Sequence, residues 1–152
     1  MEYVYDYILG QGGIQRASDY PYVATPNKCK ANKSKFVGKL KDYLHIPAGD
    51  CRSMTIALTY NTLASAIDAG YMPYYKSGVY DYPHCGDSLN HGVSIVGYGN
   101  DYSVGKQYWI VRNSFGEDWG EGGYIRMDRN TQTNTGLCGL CKRASFPIAA
   151  DK

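Results

Sequence analysis

The stretch Asn90-His91-Gly92-Val93-Ser94-Ile95-Val96-Gly97 sets one imidazole immediately before a run of small and β-branched residues. The run reads as a buried strand, so His91 stands where that strand begins. An imidazole in such a place is either a hydrogen-bonded core residue or a proton carrier for a nucleophile. Cysteines at 29, 51, 85, 138 and 141 supply the sulfur chemistry. Cys138-Gly139-Leu140-Cys141 has the CxxC spacing of zinc and thiol-redox sites, and with His84-Cys85 it assembles four candidate ligands. The glycine clusters 10–13 and 120–123 lack the strand–helix frame of a phosphate loop and read as turns.

Positioning such groups needs a core, and 152 residues suffice for one domain, or one with an appendage. Hydrophobic content of 43% and charged content of 20% are ordinary for a globular chain. A formal charge of +2 is too small to argue for nucleic acid or an anionic membrane as partner, and no apolar run is long enough to span a bilayer. The first residues lack a secretory signal, so either the protein is cytosolic or Met1 is not the natural start. Five dispersed cysteines pull the other way, toward the disulfide framework of an exported protein, with at least one sulfur left over. Asn32-Lys33-Ser34 fits the N-glycosylation pattern. Sixteen tyrosines suit cleft walls and interfaces as well as core.

Along the chain, residues 1–9 fit a strand by the alternation of Tyr3, Tyr5 and Tyr7, and a helix by Tyr3, Val4, Tyr7 and Ile8. Residues 35–46 predict a strand, 51–60 a short helix, and 62–70 and 77–82 extended segments. The runs VSIVGYG, QYWIVRNSF and GYIRMDR, separated by Gly, Asn and Asp turns, predict neighbouring strands of an antiparallel sheet. The class is α+β, with the sheet in the C-terminal two-thirds.

Four stretches read together are more specific: GGIQRASDYPY (12–22), SLNHGVSIVGYGND (88–101), YWIVRNSFGEDWGEGGYIRM (108–127) and GLCGL (136–140). Their order and content resemble the C-terminal part of papain-like cysteine proteases of the cathepsin L type, over nearly the whole chain. The resemblance implies the right-hand, antiparallel β-barrel-like domain of the papain fold with short peripheral helices. It treats 1–152 as a single C-terminal domain whose residues 1–9 form a helix packing on an absent N-terminal domain. It makes His91 the base that takes a thiol proton, and Asn113 the residue that holds the ring in one tautomer. Trp119 matches a tryptophan roofing the cleft. Arg143 falls at the base of a substrate side-chain pocket walled by Ala66 and Gly92. Cys85 and Cys138 match a disulfide pair. Cys29 matches a cysteine whose partner lies in the absent part, and Cys51 and Cys141 are extras that either pair or stay thiols.

Three departures qualify the resemblance. Phe115 stands where tryptophan is usual, and Asn90 where aspartate is frequent. Most importantly, the family nucleophile lies roughly 130–150 residues before the histidine and asparagine, which falls upstream of Met1. The expected function is therefore the His/Asn half of a papain-like endopeptidase, inactive alone and completed by an N-terminal nucleophile-bearing segment or light chain. It would act on peptide or protein substrates without a metal or cofactor. The alternative is a catalytically inactive member kept as a structural or binding subunit, which a genuine start at Met1 would favour. A protease fragment implies a lysosomal or extracellular setting.

Overall fold

The computed structural model describes residues 1–131 and 133–150. They fall into two compact units, one of Met1–Leu44 with the segment from Pro147 on, the other His45–Phe146.

In the first unit, α1 spans Glu2–Gln11 and ends at Gly12, whose φ of 85° is left-handed backbone that glycine adopts without a Cβ clash. The Gly12 and Gly13 N–H groups then close on the Ile8 carbonyl. Helical rather than strand periodicity wins because Tyr5 and Ile8, three apart, are the buried pair. Tyr5 stacks on Tyr43 at 5.1 Å, and the Tyr43 hydroxyl donates to Asp6 Oδ1 at 3.0 Å. Tyr3, Val4 and Tyr7 remain exposed.

Among the described residues seven strands make one sheet: β1 Leu40–Ile46, β2 Leu63–Ile67, β3 Val79–Tyr80, β4 His91–Asp101, β5 Lys106–Arg112, β6 Tyr124–Asp128 and β7 Ala144–Ala149. Their order is β1-β7-β2-β4-β5-β6-β3. The helix expected over 51–60 is α2, Cys51–Ala57, begun by the Asp50 carboxylate accepting from the Ser53 N–H and hydroxyl. The pairs β4–β5 and β5–β6 are antiparallel, as the turn spacing predicts, and β2–β4 and β2–β7 are antiparallel too.

Two features depart from the expected antiparallel barrel. β3 runs parallel to β6, with Val79 beside Arg126 and Tyr80 beside Met127, so the sheet is mixed. The sheet is also open, with β1 and β3 at its ends. β3 lies within the extended segment predicted over 77–82, but the parallel pairing of two residues had no counterpart in the sequence reading; Glu121 Oε1 secures it by accepting from the Gly78 N–H at 2.9 Å. β7 likewise had no counterpart in the sequence reading, since Pro147 interrupts its apolar run.

The core of the second unit gathers alternate residues of these strands: Leu63 and Ile67, Val93 and Ile95, Trp109 and Val111, Ile125 and Met127, closed by Met54, Met72 and Leu140. Each such side chain contributes about 1.5–3 kcal/mol by leaving water. Buried Ser65 ties β2 to the segment before β7, its hydroxyl donating to Leu140 O at 2.7 Å. Disulfides Cys51–Cys141 and Cys85–Cys138 anchor that same segment from two sides.

Candidate active site

His91 opens β4 and shares the core-facing parity of Val93 and Ile95, but at the strand end it is only half-buried. Ile67 pairs with His91 across the sheet, which fixes its backbone. Because β4 and β5 are antiparallel, the start of one lies beside the end of the other. Asn113 follows the last residue of β5, and its N–H donates to Gly123 O at 3.0 Å, extending the β5–β6 ladder one step. Residues 22 apart in sequence thus meet at one end of the sheet, with His91 Nε2 2.7 Å from Asn113 Oδ1.

The tautomer follows from the amide. Asn113 Oδ1 also accepts the Ser114 N–H at 2.8 Å, so its oxygen, not its nitrogen, must face that donor. An acceptor opposite Nε2 requires Nε2 to carry the proton. Nδ1 of the neutral ring is then the lone-pair nitrogen, free to take a proton from elsewhere. The Ser114 backbone contact is a functional detail that side-chain motifs do not disclose.

An aromatic series covers this pair. The Phe115 ring lies 5.0 Å from the His91 ring, Trp119 meets Phe115 edge-on at 5.4 Å, and Tyr75 backs Trp119 at 5.6 Å. Phe115 stays 43% exposed. Tyr75 was not singled out in the sequence. It is buried, and its hydroxyl donates to Gly78 O at 2.7 Å. Burial pushes its phenol above the ordinary range. Asn113 Nδ2 and Trp119 Nε1 are buried with no protein partner among the described residues.

Asn90 turns away from the histidine. Its Oδ1 accepts the Ala69 N–H at 3.0 Å and its own N–H donates to Ile67 O, tying β4 to the turn after β2. Ala66 pairs with Gly92, and the Ala66 N–H donates to Arg143 O at 3.3 Å, so the three expected pocket residues lie side by side, Ala66 on β2, Gly92 on β4 and Arg143 just before β7. The Arg143 residue is exposed. Within the same unit, Arg126 forms a fork with Glu121 (2.8 and 2.9 Å) and reaches Asp101 Oδ2 at 2.9 Å. The guanidinium holds the Glu121 carboxyl below its ordinary range.

The disulfides decide the fate of one candidate ligand set. Cys85, Cys138 and Cys141 all have their sulfurs in disulfides, so CxxC with His84-Cys85 is not a zinc site. Among the described residues no group of three or more His, Cys, Asp or Glu is arranged to hold a metal. Cys29 is a free, exposed thiol. Among the described residues no helix is long and apolar enough to cross a membrane.

Comparison with known proteins gives a consistent picture. The model of the papain family of cysteine proteases matches residues 1–148. Cysteine protease 1 of Oryza sativa subsp. japonica is 43% identical over 151 residues, which cover 97% of this chain and 31% of that protein. Fruit bromelain of Ananas comosus is 42% identical over 144 residues, covering 94% and 40%. The chain thus spans less than half the length of these curated relatives. The solved bromelain protease from Ananas comosus in complex with the E64 inhibitor superposes with a TM-score of 0.90 at 39% identity, over 96% of this chain and 67% of that one. Digestive procathepsin L 3 of Tenebrio molitor larval midgut gives 0.86 at 39%, over 95% and 46%.

Proposed function

The chain belongs to the papain family of cysteine proteases, and from that premise we propose that it is the His/Asn half of an endopeptidase whose nucleophilic thiol comes from a segment outside these residues. The observation that carries the reading is the 2.7 Å contact of His91 Nε2 with an amide oxygen held by Ser114. It leaves Nδ1 as the working nitrogen. Four of the five cysteines are locked in disulfides, which supports an external source for the thiol.

In the proposed mechanism Nδ1 takes the thiol proton, and the thiolate sulfur bonds to the scissile carbonyl carbon. The imidazolium returns its proton to the amine as the C–N bond breaks, leaving an acyl-thiol. Water then attacks, giving a proton to Nδ1, and the C–S bond breaks to regenerate the pair. Asn113 Oδ1 accepts from Nε2–H throughout and adds no charge, so the thiolate–imidazolium pair stays near balance. Phe115 and Trp119 exclude water from that hydrogen bond and roof the cleft.

Ala66, Gly92 and Arg143 are proposed to line a substrate side-chain pocket, where the guanidinium favours an acidic or polar residue. The nucleophile-bearing segment is proposed to meet the His91 cleft, either on the same polypeptide or as a separate light chain. Considered by itself, α1 is proposed to present its exposed Tyr3, Val4 and Tyr7 to an N-terminal domain. The disulfides support passage through an oxidising secretory lumen, and a lysosomal, vacuolar or extracellular destination is proposed from the family.

The test is to assay the purified chain with a fluorogenic peptide, then add a segment bearing the family's Cys-Gly-Ser-Cys-Trp-type helix. Silence alone and thiol-dependent hydrolysis with the segment is the expected result. Thiol-dependent hydrolysis by the chain alone would show that its nucleophile has been misplaced. A folded chain that does not bind the segment would point instead to an inactive structural subunit.

A further inference from the structure

We propose that Asn32 carries an N-linked oligosaccharide. The proposal does not depend on the peptidase reading. Asn32-Lys33-Ser34 is the sole Asn-x-Ser/Thr triplet in the 152 residues, and its middle residue is not proline. All three residues are exposed, on a short 3-10 turn of the first unit. A sugar there displaces no packed side chain.

The local hydrogen bonds of the folded turn leave the amide nitrogen unengaged. Asn32 Oδ1 accepts both the Ser34 N–H at 3.0 Å and the Ser34 hydroxyl at 2.8 Å. The backbone is held separately, by the Asn32 N–H donating to Gln15 Oε1 and the Lys35 N–H donating to Asn32 O. With the oxygen engaged twice, Nδ2 is left without a protein partner among the described residues, on an exposed side chain. The serine two places on, which defines the triplet in sequence, is thus also the residue that holds the amide.

Compartment chemistry agrees independently. Two disulfides that join distant parts of the chain require an oxidising lumen to form and persist. Asparagine glycosylation belongs to secreted chains that pass through such a lumen. In the transfer, Nδ2 bonds to the anomeric carbon of an oligosaccharyl polyprenyl diphosphate as the C–O bond to the diphosphate breaks. Nδ2 loses one proton to a base of the transferase, and polyprenyl diphosphate leaves.

The experiment maps peptides of the full gene product secreted from a eukaryotic host, with and without peptide-N-glycosidase in heavy-oxygen water. The expected result is a glycosylated Asn32 peptide that the enzyme converts to heavy-oxygen-labelled aspartate. Ser34→Ala should abolish the modification, and Ser34→Thr should keep it. Unmodified Asn32 in the secreted wild type, or a glycan mass that persists in Asn32→Gln, would overturn the proposal. The wild-type map decides the matter even if a variant fails to fold, and no outcome depends on peptidase activity.

Discussion

Replacing Asn113 with alanine separates a positioning role from a structural one. The substitution removes the acceptor 2.7 Å from His91 Nε2 and, with it, the reason for the Nε2–H tautomer. A net hydrogen-bond contribution of about 1 kcal/mol corresponds to a tautomer ratio shifted about 5-fold toward Nδ1–H. Loss of ring orientation adds to this, and misplacing a reacting group by about 1 Å costs roughly 10² in rate. Folding should change far less. Two hydrogen bonds to Oδ1 are lost, from His91 Nε2 and from the Ser114 N–H, which destabilises, but the variant also removes Nδ2, a buried donor without a protein partner among the described residues. Leaving such a group unsatisfied costs about 1–3 kcal/mol, so the two effects offset to within about 1–2 kcal/mol. Nitrogen–proton correlation spectra of the His91 ring, on the chain alone, read the tautomer. Urea unfolding reads stability, and kcat and KM of the reconstituted enzyme read catalysis. The expected pattern is a shifted tautomer, near-unchanged unfolding, and a kcat lowered roughly 10²-fold at similar KM. An unchanged ring spectrum with kcat within about 2-fold would refute the assignment of Asn113 as the residue that orients the base.

Three further outcomes are expected. Cys51–Cys141 spans 90 residues of sequence but encloses Cys85–Cys138, which shortens its effective loop. A loop of roughly 40 residues implies about 4 kcal/mol in the chain-entropy treatment, so the Cys51→Ser/Cys141→Ser variant should lose about that much in urea unfolding. Glu121 has its folded-state pKa depressed by Arg126, so its contribution is present above the ordinary glutamate value near pH 4.3 and is lost as pH falls through the folded value. Glu121→Gln should therefore be less stable than wild type at pH 7, and the gap between their urea midpoints should close under acid. Arg143 is exposed, so its pull on an acidic substrate side chain is screened; Arg143→Ala should reduce the preference for acidic over apolar residues by about 2–5-fold in kcat/KM, read from a peptide library.

The sequence by itself disclosed whatever depends on local pattern. The β-branched runs after His91 and around Trp109 are strands because their alternation matches the pleat, and they are β4 and β5. Motif order identified the family and singled out His91 and Asn113, since residue types and spacing survive in one dimension. What it left open were choices made by distant partners. Tyr3, Tyr5 and Tyr7 fit two periods until burial of Tyr5 and Ile8 chose the helix. The pairing of Cys51 with Cys141 needed α2 brought against the segment before β7. The parallel docking of β3 on β6 carries no signature in two residues. The imidazole's tautomer was decided last, because it rests on a backbone N–H at Ser114 that no side-chain motif encodes. Only the antiparallel sheet, setting the start of β4 beside the end of β5, brings that amide oxygen within a hydrogen bond of His91.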